Sequence, residues 1–168
     1  MKSAGFTLIE LIMVIVLISV ISALGIGLLP SAERYKSPLF TDQFLNALRT
    51  TQRLALLREN PSDVLSLLIS RTSTEFQLQI MQSAAQVELI DIAHSGANLA
   101  LSNTDFTTPC SSLPVSVLPY TLYFNGAGER SDASRVQTNS NLRICILATP
   151  PRELCIAPSG YAYAGSCI

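Results

Sequence analysis

Apolar residues along this chain fall into three patterns, and each predicts a different kind of element. Residues 11–29 form an uncharged, almost continuously apolar block. As a helix it would be on the order of 30 Å long, the thickness of a bilayer's hydrocarbon core. Gly25, Gly27 and Pro30 lie toward its end. A proline removes a helix hydrogen bond and clashes with the preceding turn, which predicts a kink or break at the membrane exit. Beyond Pro30 the period stays helical but becomes two-sided. Phe40, Phe44, Leu48, Thr51 and Ala55 recur on one face with Leu45 and Leu54, opposite Asp42, Gln43, Asn46, Arg49 and Arg53. This predicts residues 31–59 as a second, amphipathic half of the same long helix, with Asn60-Pro61 as its stop.

From residue 63 the pattern changes to short β-like runs. Strands are predicted at 63–70, 75–81, 86–93, 99–101, 120–125, 142–148, 153–157 and 161–164. Phe76, Leu78 and Ile80 alternate cleanly, whereas the run around Val87, Leu89 and Asp91 alternates less well. Turns are marked by Ser95-Gly96, Asn125-Gly126-Ala127-Gly128, Pro150-Pro151 and Pro158-Ser159-Gly160, and residues 107–118 read as an irregular Pro/Ser/Thr-rich loop. A helix followed by strands is the α+β order. The amphipathic helix is expected against an antiparallel sheet, and the C-terminal region is expected to be stapled by disulfides.

Composition sharpens this picture in one respect. The 168 residues are 48% hydrophobic and only 14% charged, and the apolar block accounts for much of that imbalance. A net charge of −1 gives no global basic field to draw in nucleic acid or anionic lipid. The four cysteines, Cys110, Cys145, Cys155 and Cys167, form no C-x-x-C pair, and the single histidine, His94, lies in another segment. Zinc-ligand spacing is therefore lacking, and two disulfides in an exported domain are the natural expectation. If strands 142–148 and 153–157 pair across Pro150-Pro151, the favoured connectivity is Cys145–Cys155 with Cys110–Cys167. A one-residue slip in register would change it.

The N-terminus bears on the compartment. Lys2 precedes the apolar block and favours a cytoplasmic N-terminal end, with the bulk of the chain across the membrane. An ordinary secretory signal would have a shorter apolar core and a small-x-small cleavage site, which Val20-Ile21-Ser22-Ala23 fits poorly. A simple uncleaved anchor leaves Glu10 unexplained, because a carboxylate at the start of a membrane helix is costly without a partner.

The run Gly5-Phe6-Thr7-Leu8-Ile9-Glu10-Leu11 resembles the prepilin processing motif of type IV pilins and type II secretion pseudopilins. The resemblance implies cleavage by prepilin peptidase between Gly5 and Phe6, N-methylation of Phe6, and pairing of Glu10 with the N-terminal amine of a neighbouring subunit during filament assembly. It divides the chain into a leader (1–5), a membrane and filament-core helix (6–30) and an exported globular domain (31–168). It further implies an inner-membrane protein whose C-terminal domain lies in the periplasm before joining a pilus or pseudopilus. The implied partners are prepilin peptidase, other pilins, an inner-membrane assembly platform and the lipid bilayer. The helix end at residues 48–60, with residues 123–129 and 155–161, also resembles the minor pseudopilin H branch.

Little else in the sequence carries chemistry. There is no G-x-S-x-G, H-E-x-x-H, P-loop or G-x-G-x-x-G, and Gly126-Ala127-Gly128 lacks the following helix that a phosphate cradle needs. No enzyme activity, metal or cofactor is expected. His94 reads as a strand-end residue. Arg130, Arg135, Arg143 and Arg152 interleave with Glu129, Asp132 and Glu153, so a solvated mixed surface is expected there in preference to a nucleic-acid patch. The leading expectation is a structural or initiating minor pilin subunit. The alternative is a binding module at a filament tip, contacting DNA or an adhesion target.

Overall fold

The computed structural model describes residues 7–26, 33–58, 64–94 and 96–168. Gly5, Phe6, Pro30 and the expected helix stop at Asn60-Pro61 lie outside the described residues. So does the junction between the two expected helix halves. Residues 1–34 and 35–168 form separate units. In the first, helix α1 spans Leu8–Ile26.

The second unit contains nearly all of α2 (Glu33–Leu56), which begins and ends close to the expected limits. Its buried face is Phe40, Phe44, Leu45, Ala47, Leu48, Thr51 and Ala55, and Leu39, Asp42, Gln43, Asn46 and Arg53 face solvent. That three-and-four spacing is what an amphipathic helix needs to cover a sheet. Two buried threonines on this face are satisfied within the helix: Thr41 Oγ1 donates to the Ser37 carbonyl and Thr51 Oγ1 to that of Ala47, each at 2.8 Å.

The expected single sheet is in fact two antiparallel sheets. The first has the order β3-β2-β1-β5-β6, formed by β1 (Leu65–Arg71), β2 (Glu75–Gln82), β3 (Ala85–Ala93), β5 (Tyr120–Phe124) and β6 (Arg130–Ser131). The second has the order β4-β7-β8-β9, formed by β4 (Asn98–Ser102), β7 (Leu142–Leu147), β8 (Arg152–Ile156) and β9 (Ala162–Ala164). The chain changes sheet after β3 because β4 pairs with β7, Ala100 lying opposite Cys145. Only β6 has no counterpart in the sequence pattern, since it is two polar residues held by Phe124 and Tyr123 opposite.

One core joins α2 to both sheets. Leu65, Leu67 and Ile69 of β1 and Phe76, Leu78 and Ile80 of β2 alternate inward from the first sheet. Leu142, Ile144 and Ile146 with Leu154 and Ile156 do so from the second. Phe40 of α2 packs edge-on to Phe76, with ring centroids 5.4 Å apart. Alternation weakens in β3 for a structural reason. A register shift opposite Ile80/Met81 inserts Val87 as an extra residue, and most of the strand is exposed.

Two turns clasp the C-terminal half of α2. At 125–128 the Gly128 N–H donates to the Asn125 carbonyl, and at 157–160 the Gly160 N–H donates to that of Ala157, both at 2.9 Å. The Gln52 amide nitrogen of α2 donates to the Gly128 carbonyl at 3.3 Å and the Ser159 carbonyl at 3.0 Å. Both glycines are buried with positive φ, and a Cβ on Gly160 would lie 1.9 Å from the Gly128 oxygen. Glycine is required here by contact as well as by backbone conformation.

Candidate processing and assembly segment

Helix α1 follows a polar residue, Thr7, and is itself apolar almost throughout. The Thr7 carbonyl accepts the N–H groups of Glu10 (3.1 Å) and Leu11 (3.3 Å), and Thr7 Oγ1 donates to Glu10 Oε2 at 3.4 Å. Glu10 thus lies in the first turn, where a negative charge is favoured by the exposed N–H groups of the helix end. It is solvent-facing, and Thr7 is its hydrogen-bond partner among the described residues. Leu8, Ile9 and Met13 are each more than half exposed, as are Ile15, Val16, Leu17, Ile18, Val20 and Ile21. A helix apolar on every side is one that something else must surround.

Among the described residues no helix is long and apolar enough to cross a membrane. The 19 residues of α1 rise roughly 28 Å, with Glu10 near one end, against a hydrocarbon core of about 30 Å. The uncharged block of the sequence continues to Leu29, outside the described residues.

Residues 1–26 match the family described as the prokaryotic N-terminal methylation motif. This chain begins as a type IV pilin-like protein does. The matched span contains Gly5, Phe6 and Glu10, of which only Glu10 is among the described residues. No curated protein and no solved structure matches the chain.

The cysteines are paired differently from the expectation. The bonds are Cys110–Cys145 and Cys155–Cys167, not Cys145–Cys155 with Cys110–Cys167. In the β7–β8 ladder Cys145 lies opposite Glu153 and Cys155 opposite Arg143. The two strand cysteines therefore share a face but sit diagonally, two positions out of register, too far apart to bond. Each is joined instead to a segment laid across that face. Cys145 holds the one-turn helix Cys110–Ser112, and Cys155 holds the C-terminal tail.

Between the two bridges lies the ion pair of Arg143 and Glu153, which the sequence reading did not identify. Arg143 Nε donates to Glu153 Oε1 at 2.7 Å and Nη2 donates to Oε2 at 3.2 Å, with the two side chains 4% and 16% exposed. Arg143 Nη1 also donates to the Thr108 carbonyl at 2.6 Å, and Ser166 Oγ donates to Glu153 Oε2 at 3.2 Å. One pair thus ties both covering segments to the sheet. The signal was present as a repeat: Arg143-Ile144-Cys145 and Glu153-Leu154-Cys155 each place a charge on the same strand face as a cysteine.

The expected solvated arginine surface is corrected accordingly. Arg130 and Arg143 are 6% and 4% exposed, and only Arg135 and Arg152 face solvent. Arg130 Nη1 donates to the carbonyls of Ser140 (2.8 Å) and Ile156 (3.5 Å), stitching the first sheet to the second. Burial pulls its pKa below the ordinary guanidinium value, partly opposed by Tyr120. In the covering loop the Asp105 carboxylate is lowered to about 2, first by the Thr108 side chain and then by the backbone N–H groups of Thr108 and Thr107. His94 is a strand-end residue, its ring nitrogens meeting the Ser73 carbonyl and the Gly96 N–H at 2.9 Å each.

Proposed function

We propose that this chain is a minor pilin or pseudopilin, a structural or initiating subunit of a type IV pilus or type II secretion pseudopilus, with no enzymatic role. The observation that carries the proposal is the methylation motif over residues 1–26, which includes a helix whose large apolar side chains from Leu8 to Ile21 are all exposed. Before assembly lipid surrounds that helix in the inner membrane, with the globular unit in the periplasm. In a filament other pilins replace the lipid, delivered through an inner-membrane assembly platform. Prepilin peptidase cuts between Gly5 and Phe6, and Phe6 is methylated. Glu10 then meets the amine of a neighbouring subunit, where a desolvated carboxylate is tolerable only if paired.

The alternative of a tip module contacting DNA loses support, because two of its four arginines are buried. The test of the main reading is mass spectrometry of the chain purified from cells that contain prepilin peptidase. A mature chain starting at methylated Phe6 is expected. An intact Met1, or a start near Ala23, would overturn the proposal.

A further inference from the structure

Two of the four sheet edges are closed by backbone segments of the chain itself, and a third, the three-residue β9, is capped by one side chain. Beside β4, the Ser116 N–H donates to the Leu99 carbonyl at 2.9 Å and the Leu101 N–H to Ser116 Oγ at 2.7 Å. Beside β6, Ser131 bridges to Gln137 and the Thr138 N–H donates to the Arg130 carbonyl at 2.9 Å. On β9 the Ala162 carbonyl accepts Arg49 Nε at 3.1 Å. The fourth edge, β3, is the longest strand at nine residues, and among the described residues no strand pairs with its outer side.

The register identifies which backbone groups face outward. Ala93 lies opposite Glu75, and the His94 N–H donates to the Thr74 carbonyl at 3.1 Å. Ala93, Asp91 and Leu89 therefore occupy the positions whose N–H and C=O groups point away from β2. Such a row is a template for another strand unless a protein blunts it. Lysine and proline, two residues that usually do so, are absent from 85–93. Exposed beside the row are Leu89 (41%) and Val87 (50%). The hairpin from Glu75 to Ala93 carries three carboxylates, Glu75, Glu88 and Asp91, and no Lys or Arg.

We propose that the β3 edge is a strand-addition site for an extended, basic segment of a partner protein. Main-chain bonds to Leu89, Asp91 and Ala93 supply the attachment. A partner residue opposite Asp91 is basic, and the one opposite Leu89 is apolar, two positions away on the same face. A second copy of this chain is the poorer occupant, since pairing β3 with itself sets one acidic hairpin against another.

The test uses the full-length, oxidised chain in detergent and a fluorescent nonapeptide, Lys-Thr-Val-Thr-Lys-Thr-Val-Thr-Lys. Anisotropy is expected to show saturable binding. Methylating the Val backbone nitrogens should abolish it, while methylating Thr nitrogens, which point away from β3, should leave it. Glu88→Lys combined with Asp91→Lys should weaken binding about tenfold with an unchanged circular dichroism spectrum. In hydrogen exchange the Leu89, Asp91 and Ala93 amides should gain protection. Equal binding of all three peptides would reduce the effect to charge attraction and overturn the proposal. No binding at millimolar peptide would overturn it too, as would a self-associated chain that the peptide disperses.

Discussion

Replacing Gly160 by alanine tests whether the two turns and α2 form one clasp. Gly96, Gly128 and Gly160 share positive φ values of +85°, +72° and +80°, so each Gly→Ala change carries a similar backbone cost of about 1 kcal/mol. Their surroundings differ. At Gly96 an added methyl meets nothing within 4 Å. At Gly128 it meets the exposed Leu56 side chain at 2.8 Å, which can swing aside at a further cost of about 1 kcal/mol. At Gly160 it meets the Gly128 carbonyl oxygen at 1.9 Å and the Gln52 amide nitrogen at 3.0 Å, so the turns must separate and Gln52 must release them. Overpacking adds about 2 kcal/mol and the loosened Gln52 bonds about 1 more. The expected losses are therefore about 1, 2 and 4 kcal/mol for Gly96→Ala, Gly128→Ala and Gly160→Ala. For a chain of this length these correspond to falls in Tm of roughly 3, 6 and 12 °C. Thermal unfolding of the full-length oxidised chain, followed by tyrosine near-ultraviolet circular dichroism, reads the series directly. Equal losses at all three positions would show that only backbone conformation matters and that the clasp contributes nothing.

Peptide mapping without reduction should recover Cys110 linked to Cys145 and Cys155 linked to Cys167; a Cys145–Cys155 peptide would refute the register argument. On a chain-entropy basis, opening the loop of 35 residues should cost about 4 kcal/mol and the loop of 12 about 3, measured by urea unfolding of the corresponding serine pairs. Glu153→Gln should destabilise by about 3 kcal/mol by leaving Arg143 charged and buried, whereas Arg143→Met with Glu153→Leu should cost clearly less; equal losses would deny the coupling. Because Asp105 has its pKa lowered in the folded chain, its contribution is fully present above the unfolded value near 4 and is lost as pH falls through about 2. Exchange at the Thr107 and Thr108 amides should accordingly quicken across that window, and Asp105→Asn should remove the dependence. Glu10→Gln should leave membrane insertion intact and abolish incorporation into filaments, scored by fractionation and by sheared-filament immunoblotting; equal incorporation would make Glu10 incidental.

Much of this architecture was legible because burial follows period. The α2 face from Phe40 to Ala55 and the inward residues of β1 and β2 could be read off spacing alone, since each element buries one side. Eight strands lie within a residue or two of their expected positions. The division into two sheets was not legible, because strand runs do not state their partners and β4 chose β7, more than forty residues away. The disulfide pairing failed for the same reason. Spacing places Cys145 and Cys155 in one hairpin, but only the ladder shows that they are diagonal neighbours. Arg130 and Arg143 were misjudged because a charged residue reads as exposed until its carbonyl partners are known. In the N-terminal segment the reverse holds. Gly5, Phe6 and Glu10 are candidates from sequence order alone, and the structure adds the Thr7 contact of Glu10 and the exposed apolar surface that follows.

The two disulfide-held straps have a mechanical consequence. A pull on the C-terminal end of a sheet would ordinarily peel strands off one residue at a time. Here the C-terminal tail is covalently fastened to Cys155 in the body of the second sheet, and the loop before β5 to Cys145 beside it. The 35 and 12 residues enclosed by these bonds cannot be drawn out, which removes on the order of 160 Å of contour from any stretch the unit can undergo. Force reaching Cys167 from its C-terminal side therefore passes through the disulfide directly into β8, bypassing the residues between.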